Sequence, residues 1–289
     1  MAKNVRIWRR CQRLAVPLML AFTLLFVFVP STFAATATSA TSARHHHHSL
    51  VGPKKHYLAL GDSLAFGFQP DLNFDSGYAD DFYSNLKGHG VQSLANLACP
   101  GETSVTFLNG NCPYPYLRKY PYLGSQMDAA VDYIHDYAGQ VSPVTLDIGA
   151  NDVNGDINPN NCSINQQGFQ TDLAKVDYNL TQVILPALKQ ALTINGQMTG
   201  DIVMMNYYDP YQNICPNTIP GSEEVNTHLA ADVSGFGTIV DVFTAFGGPN
   251  VPNHNICSYT WMCSIFTDIH ATTRGYRVIA NTFEKGYRY

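Results

Sequence analysis

The sequence predicts a three-layer α/β/α domain built on a central, mostly parallel sheet of five strands. Five short segments are rich in Val, Ile, Leu or Met and lack a helical period, which is typical of strands buried on both faces. These segments are 56–60, 91–97, 144–148, 201–206 and 238–242. Helix-like stretches separate them, and strands that alternate with helices form parallel sheets covered on both faces. We expect the first segment to lie near the centre of the sheet.

The clearest helical stretch covers residues 172–192. Its apolar side chains recur at intervals that place them on one face of a helix. They are Leu173, Val176, Leu180, Val183, Ile184 and Ala187. Pro186 lies inside this stretch. Because proline has no backbone N–H and its ring collides with the preceding turn, we expect it to kink or divide the helix.

The first 34 residues have the layout of a secretory signal peptide. Five basic residues precede an apolar run at 14–29, and small residues follow this run within 30–34. The run is short for a membrane span and contains Pro17, which favours cleavage over retention as an anchor. We therefore expect a secreted protein without a stable membrane anchor.

Residues 35–55 form a predicted linker that is rich in Ala, Thr and Ser and contains four histidines at 45–48. A low-complexity tract without apolar period cannot hold a rigid metal site, so we assign it no function. Residues 56–289 contain no internal repeat and are enough for one domain with a sizeable core.

The charge of the chain excludes some classes of partner. It carries 17 basic and 22 acidic residues, a formal charge of −5. Removal of the signal peptide takes away five basic residues and no acidic ones, which leaves a charge of about −10. An acidic protein is not attracted to nucleic acid or to anionic membranes. We expect a small-molecule, lipid or carbohydrate partner and a monomeric protein.

A reactive serine is predicted at the end of the first strand. The apolar run 56–60 stops at Gly61-Asp62-Ser63, and Gly61 permits a tight turn there. Ligands bind outside the carboxyl ends of strands in open parallel sheets, and this favours a functional Ser63. Gly, Asp and Ser are also common turn residues, so the tripeptide alone is more typical of an ordinary turn than of a catalytic site.

Other polar groups follow the next strands. Gly101 comes after the second strand and Asn151 after the third, and a glycine N–H and an asparagine amide are suitable donors to a developing oxyanion. Near the C-terminus, His270 is a candidate base for Ser63, with Asp268 two residues earlier to orient the imidazole. Taken singly, each of these residues is also explained by a helix cap, a turn or a packed surface histidine.

Taken together, these segments resemble the SGNH, or GDSL, hydrolase family of serine esterases and lipases. Gly61-Asp62-Ser63-Leu64 is similar to the nucleophile block, Gly101 to the glycine block, Gly149-Ala150-Asn151-Asp152 to the asparagine block, and Asp268-Ile269-His270 to the block of the acid and the base. The four blocks occur in the family's order within 56–284. One difference is Ala271, because the family often has proline after the histidine.

The resemblance implies a role for each matching residue. Ser63 would be the nucleophile, His270 the general base and then acid, and Asp268 the residue that orients it. The oxyanion hole would comprise the backbone amides of Ser63 and Gly101 and the side-chain amide of Asn151. The family's fold is the flavodoxin-like α/β/α sandwich, in agreement with the strand and helix pattern.

Six cysteines remain after removal of the signal peptide, and an even number in an exported chain predicts three disulfides. Fifteen pairings of six cysteines exist, and pairing of sequence neighbours is the most economical. It joins Cys99 to Cys112, Cys162 to Cys215, and Cys257 to Cys263. No Cys-x-x-Cys spacing occurs among them, so we expect no structural zinc.

We therefore expect a secreted carboxylic-ester hydrolase that acts through an acyl-serine intermediate without metal or organic cofactor. The alternatives are a carbohydrate deacetylase of the same fold and a non-catalytic module that binds sugar or lipid. The loops at 112–122 and 152–168 are predicted to shape the substrate pocket. In the first of them, the candidates to line an acyl groove or to stack on sugar are Tyr114, Tyr116, Tyr120 and Tyr122. The alternative is that these rings only cover the sheet edge.

Overall fold

The structure, a computed structural model, describes residues 50–288. The predicted signal peptide and the histidine tract of the predicted linker lie outside the described residues. The end of that linker is bound to the domain: the backbone N–H groups of Val51 and Gly52 donate to the Asp201 carboxylate at 2.9 and 2.8 Å.

The five predicted strands form one parallel sheet. They are β1 (His56–Gly61), β2 (Ser93–Asn96), β3 (Val141–Asp147), β4 (Ile202–Met205) and β5 (Thr238–Val240). The spatial order is β2-β1-β3-β4-β5, and every neighbouring pair is parallel. This confirms the predicted fold, with β1 beside the central strand. All seven residues of β3 are buried, as a strand covered on both faces requires.

Helices cover both faces of the sheet. On one face, α2 (Tyr78–Leu86) packs against the C-terminal helix α11 (Thr273–Gly286), with the Tyr78 and Phe283 rings stacked at 4.9 Å. The helices of the other layer are α3 (Ser104–Asn109), α4 (Gln126–Asp136), α6 (Gln166–Tyr178), α7 (Leu185–Ala191) and α8 (Ile219–Val233). Full burial of one large apolar side chain is worth about 1.5–3 kcal/mol, and both layers bury many.

The shorter elements lie mostly at the ends of the sheet. The remaining α-helices are α1 (Ser63–Phe66), α5 (Ala150–Val153), α9 (Val242–Ala245) and α10 (His254–Tyr259). Two small antiparallel hairpins pair Ile157–Asn158 with Ser163–Ile164 and Thr193–Ile194 with Gln197–Met198. Single 3₁₀ turns lie at Lys87–His89, Pro115–Leu117, Asn154–Asp156, Pro216–Thr218 and Trp261–Cys263.

Pro186 divides the long helical stretch, as predicted. Between α6 and α7 the backbone forms a π-helical segment, Asn179–Ile184, and Pro186 lies in the first turn of α7. A proline cannot donate to the carbonyl one turn earlier and its ring needs extra room, so the wider turn accommodates it. The buried face continues through the segment with Leu180 and Ile184.

Three disulfides join the neighbouring cysteines as predicted: Cys99 to Cys112, Cys162 to Cys215, and Cys257 to Cys263. The first closes the loop after Gly101, and the third lies just before Asp268. Within residues 50–288, no helix has the length and apolar character needed to cross a membrane.

We expect the disulfide of Cys162 and Cys215, which spans 53 residues, to stabilise the fold by restricting the unfolded chain. Closing a loop of about 15 residues is worth about 3 kcal/mol in the chain-entropy model, and longer loops are worth more. Replacing both cysteines by serine should lower Tm by roughly 6–12 °C in scanning calorimetry. Titration of the denatured, unreduced mature wild-type protein should find no free thiol. An unchanged Tm would contradict the stabilising role.

Candidate active site

The turn after β1 carries Ser63 to the carboxyl edge of the sheet. Gly61 has φ +137°, and a Cβ at this position would collide with the backbone and side-chain oxygens of Asp147 on β3. Asp62 caps the short helix α1 by accepting from the N–H of Leu64 at 2.9 Å. Ser63 is the first residue of α1, and 8% of its surface is exposed. Glycine is therefore required at 61 for Ser63 to reach the edge.

Ser63, His270 and Asp268 form one chain of short hydrogen bonds. The His270 Nε2 atom lies 2.8 Å from Ser63 Oγ, and His270 Nδ1 lies 2.7 Å from Asp268 Oδ1. Asp268 Oδ1 also accepts from the backbone N–H of His270 at 2.8 Å. Residues that are 207 positions apart in the sequence are thus in direct contact.

The protonation of this chain follows from Asp268. Burial by itself raises the pKa of Asp268, but hydrogen bonds from His270 and the attraction of its charge outweigh burial and leave that pKa below its ordinary value. Asp268 is therefore a carboxylate and can only accept, so Nδ1 of His270 carries the proton in the hydrogen bond. When His270 is neutral, the lone pair of Nε2 therefore faces the Ser63 hydroxyl, the orientation that a general base needs.

The loop of His270 is fixed from two sides. The Trp261 N–H donates to the His270 carbonyl at 3.0 Å, and the Tyr208 hydroxyl donates to the Ile269 carbonyl at 2.9 Å. The Phe68 ring packs on the imidazole, with 4.6 Å between the ring centroids. These contacts leave the imidazole one well-defined position beside Ser63.

The predicted oxyanion donors lie at the same edge. Gly101 has φ +78° in the loop after β2, where a Cβ would come within 3.1 Å of the Pro113 ring. Asn151 is in the single turn of α5, directly after β3. Its Nδ2 donates to the backbone carbonyl of Glu102 at 3.0 Å and approaches Asp62 Oδ2 at 3.3 Å. Asn151 thereby joins the loop of Gly101 to the turn of Ser63.

A family model for the GDSL-like lipases and acylhydrolases matches residues 57–283. The chain belongs to this family. It is accordingly a carboxylic-ester hydrolase with a small ester as substrate. A search of curated protein sequences gives no significant match.

Solved structures with the same fold include enzymes of several kinds. A lipase from a goat rumen metagenome is 16% identical, with a TM-score of 0.54 over 80% of this chain and 97% of the lipase. An acetylxylan esterase from Geobacillus stearothermophilus is 13% identical, with a TM-score of 0.50 over 83% and 97%. A phospholipase A1 from Streptomyces albidoflavus is 15% identical, with a TM-score of 0.50 over 81% and 99%. At these identities the likeness concerns the fold.

A buried carboxyl group, that of Asp147, lies beneath Ser63 in this GDSL-family chain. It was not predicted from the sequence. Asp147, the last residue of β3, is fully buried; its Oδ1 accepts from the Tyr78 hydroxyl at 2.9 Å and its Oδ2 from the Ala65 N–H at 3.1 Å. Burial and the adjacent Asp62 charge raise the pKa of Asp147 well above its ordinary range. Asp62 is also buried, and burial raises the pKa of its carboxyl as well. The signal in the sequence that could have identified Asp147 is an acidic residue at the end of an apolar run.

An apolar cavity of about 100 Å³ extends from Ser63 and His270. Helices α5 and α8, the loop at 207–211 after β4 and Phe169 of α6 supply most of its wall. The apolar lining residues include Val153, Ile157, Phe169, Tyr208, Val225 and Ile269. The predicted loop at 152–168 does contribute to this wall.

The four tyrosines predicted to line the pocket do not do so. Tyr116 is 77% exposed and Tyr114 46% exposed, while Tyr122 lies under the Arg118 guanidinium at 3.8 Å from its ring centroid. The first disulfide holds their loop beside Gly101, outside the cavity wall. The Tyr120 ring instead packs edge-on against Tyr133 of α4, with 5.8 Å between the ring centroids.

Among the described residues, the one close group of potential metal ligands is Cys99, Glu102 and Cys112. The two cysteines are bonded to each other, so neither offers a thiolate.

The buried carboxyl pair should make stability depend on pH. A carboxyl whose pKa is raised by folding stabilises the folded state while it is protonated. For Asp147 this contribution is fully present below the ordinary value of 3.8 and is lost as the pH rises through the raised pKa. The variant Asp147→Asn cannot ionise, so its Tm minus that of the wild type should become more positive from about pH 5 to about pH 9.

Scanning calorimetry at several pH values checks this difference. The exposed Asp132→Asn, on α4, is the matched control and should follow the wild type throughout. A difference in Tm between Asp147→Asn and the wild type that stays constant with pH would contradict the assignment.

Proposed function

We propose that the protein is a secreted hydrolase that cleaves carboxylic esters through an acyl-serine intermediate, with Ser63 as nucleophile. The observation that carries the proposal is the hydrogen-bonded chain from Ser63 through His270 to Asp268. Secretion is supported by the signal-like sequence at 1–34 and by the three disulfides, because disulfides persist in oxidising compartments.

In the first half-reaction, Ser63 Oγ attacks the ester carbonyl carbon while His270 Nε2 takes the hydroxyl proton. The carbonyl oxygen becomes an oxyanion, which accepts from the backbone N–H groups of Ser63 and Gly101 and from Asn151 Nδ2. The Asp268 carboxylate stabilises the imidazolium. His270 then protonates the leaving alkoxide, the C–O bond breaks, and the alcohol departs from the acyl-serine.

In the second half-reaction, water attacks the acyl-serine carbonyl and gives its proton to His270. The oxyanion forms again in the same hole and collapses, and His270 returns the proton to Ser63 Oγ. The carboxylic acid leaves and the free enzyme is restored. Each proton that His270 takes is given back within the same half-reaction, so no cofactor is needed.

The cavity beside Ser63 supports an acyl chain longer than acetyl as substrate. Its walls are largely apolar side chains, and apolar surface is buried favourably at about 25 cal/mol per Å². A longer acyl chain offers these walls more apolar surface than the single methyl group of an acetyl group does. We therefore favour a medium-chain or longer acyl ester over an acetylated carbohydrate, and we propose that the protein acts as a monomer.

The nucleophile is tested by substitution. Ser63→Ala should abolish turnover of nitrophenyl butyrate and leave Tm close to the wild-type value, because only the hydroxyl is removed. Asn151→Ala should lower kcat by roughly 10² to 10³, the usual cost of one lost oxyanion donor. Steady-state kinetics and calorimetry of both variants provide the measurement. Wild-type turnover by Ser63→Ala would exclude the mechanism.

The acyl preference is tested at Gly221. This residue of α8 lines the cavity, and a Cβ there would come within 3.3 Å of the Phe169 ring. Gly221→Leu should fill part of the cavity and lower kcat/KM for nitrophenyl decanoate about 10-fold or more relative to acetate, since a pocket distinguishes a single methylene by about 1–3 kcal/mol. The control is Gly88→Leu, where nothing lies within 4 Å.

A panel of nitrophenyl esters of increasing chain length also separates the proposed function from its alternatives. A wild-type preference for acetate over every longer chain would favour a carbohydrate deacetylase, and no turnover of any ester would favour a binding module. An unchanged chain-length profile in Gly221→Leu would show that the acyl chain binds elsewhere.

A further inference from the structure

Gln126 is a buried side chain that sequence reasoning gave no role. It is the first residue of α4, directly after the N-cap Ser125, and only 1% of its surface is exposed. Its amide group makes three hydrogen bonds, and two of them go to the backbone of Gly61. The residue that precedes Asp62 and Ser63 is thus held by a side chain 65 positions away.

Gln126 bonds to Gly61 just past the last paired residues of β1 and β2. The β1–β2 ladder ends at the pair of Ala59 and Asn96. Past that point Gln126 Oε1 accepts from the Gly61 N–H at 2.6 Å, and Gln126 Nε2 donates to the Gly61 carbonyl at 2.9 Å. One side chain therefore bonds to both backbone groups of the residue at which the chain turns toward Ser63, and the Gly61 carbonyl also accepts from the Cys99 N–H at 3.1 Å.

The third bond reaches the loop of Gly101. Gln126 Nε2 donates to Glu102 Oε2 at 3.0 Å, and Glu102 is 1% exposed. The backbone carbonyl of the same Glu102 accepts from Asn151 Nδ2 at 3.0 Å. Gln126 thus bonds to the turn that carries Ser63, one of the proposed oxyanion donors. It also bonds to Glu102, which lies beside Gly101 and accepts from Asn151.

We propose that Gln126 is a positioning residue that sets the spacing of the oxyanion hole. It contacts none of the reacting atoms, and it acts by holding the Ser63 turn and the Gly101–Glu102 loop at a fixed separation. The inference rests on the proposed function, because a hole matters only if an oxyanion forms. Oxyanion donors act through preorganisation, and a displacement of about 0.5 Å is enough to weaken them.

The test uses two variants of the mature protein. Gln126→Glu keeps the size and the acceptor for the Gly61 N–H but loses both donated bonds while it is ionised. Gln126→Met keeps the approximate volume and loses all three bonds. We expect kcat for nitrophenyl butyrate to fall roughly 10- to 100-fold in each, since removal of one donor outright costs about 10² to 10³. KM should change less than about 3-fold, because the cavity wall is untouched.

Two further readouts separate positioning from simple loss of stability. An alkyl trifluoromethyl ketone forms an oxyanion in the hole, so its inhibition constant should rise in parallel with the loss of kcat/KM. The ratio of kcat in Gln126→Glu to that in the wild type should also rise as the pH falls, since protonation of the new carboxyl restores one donated bond. Any pH dependence that the two proteins share cancels in this ratio.

Tyr287→Phe is the matched control. The Tyr287 hydroxyl is buried at the opposite end of the sheet, where it donates to the Asp201 carboxylate at 2.7 Å. Its loss should lower Tm and leave kcat unchanged, with all kinetics measured well below each Tm.

If Gln126→Glu folds and both its kcat and its inhibition constant stay within about 3-fold of the wild type, the positioning role is overturned; this variant decides the matter if Gln126→Met does not fold. If the wild type itself turns over no ester, or Ser63→Ala turns over as much as the wild type, the proposed function fails instead.

Discussion

The sharp turn at Gly61 is the constraint on which the rest of the site depends. No other residue fits there, because a Cβ would collide with Asp147, and the φ of +137° is unfavourable for any side chain. The turn sends Ser63 over the carboxyl edge of the sheet rather than into the next strand. Gln126 bonds to Gly61 on one side of the turn. Strand β3 holds the other side, because the Asp62 N–H donates to the Asp147 carbonyl at 3.2 Å. A rigid turn of this kind is what a preorganised nucleophile requires.

The environments of the carboxyl groups near Ser63 shift their pKa values in opposite directions. Asp268, half-buried and bonded to His270, stays ionised and orients the imidazole, whereas burial raises the pKa of both Asp62 and Asp147. The raised pKa of Asp147 favours its protonated form, and this avoids two adjacent bare charges under Ser63. The environment of each carboxyl, and not its chemical type, decides its task at this edge.

Much of this arrangement was predictable because it is local in sequence. The buried strands show as apolar runs, Pro186 marks the division of the helix, and the polar residues at 63, 101 and 151 each follow a strand. The contacts of Gln126 and Asp147 were not predictable, because they depend on which elements meet in space. The prediction for the tyrosine loop failed for the same reason. Composition identified an aromatic segment, but the wall of the cavity comes mainly from α5, α8 and the loop at 207–211.

The central claim is that Ser63 is the nucleophile, and the most direct measurement is covalent labelling of the mature protein with an alkyl fluorophosphonate. This reagent reacts with a serine hydroxyl that is activated by a base. Our account predicts one adduct per chain by intact mass, located on Ser63 by peptide mapping, with ester turnover lost in proportion to labelling and no labelling of denatured protein. A fully labelled Ser63 that leaves turnover intact, or inactivation through a different residue, would contradict it.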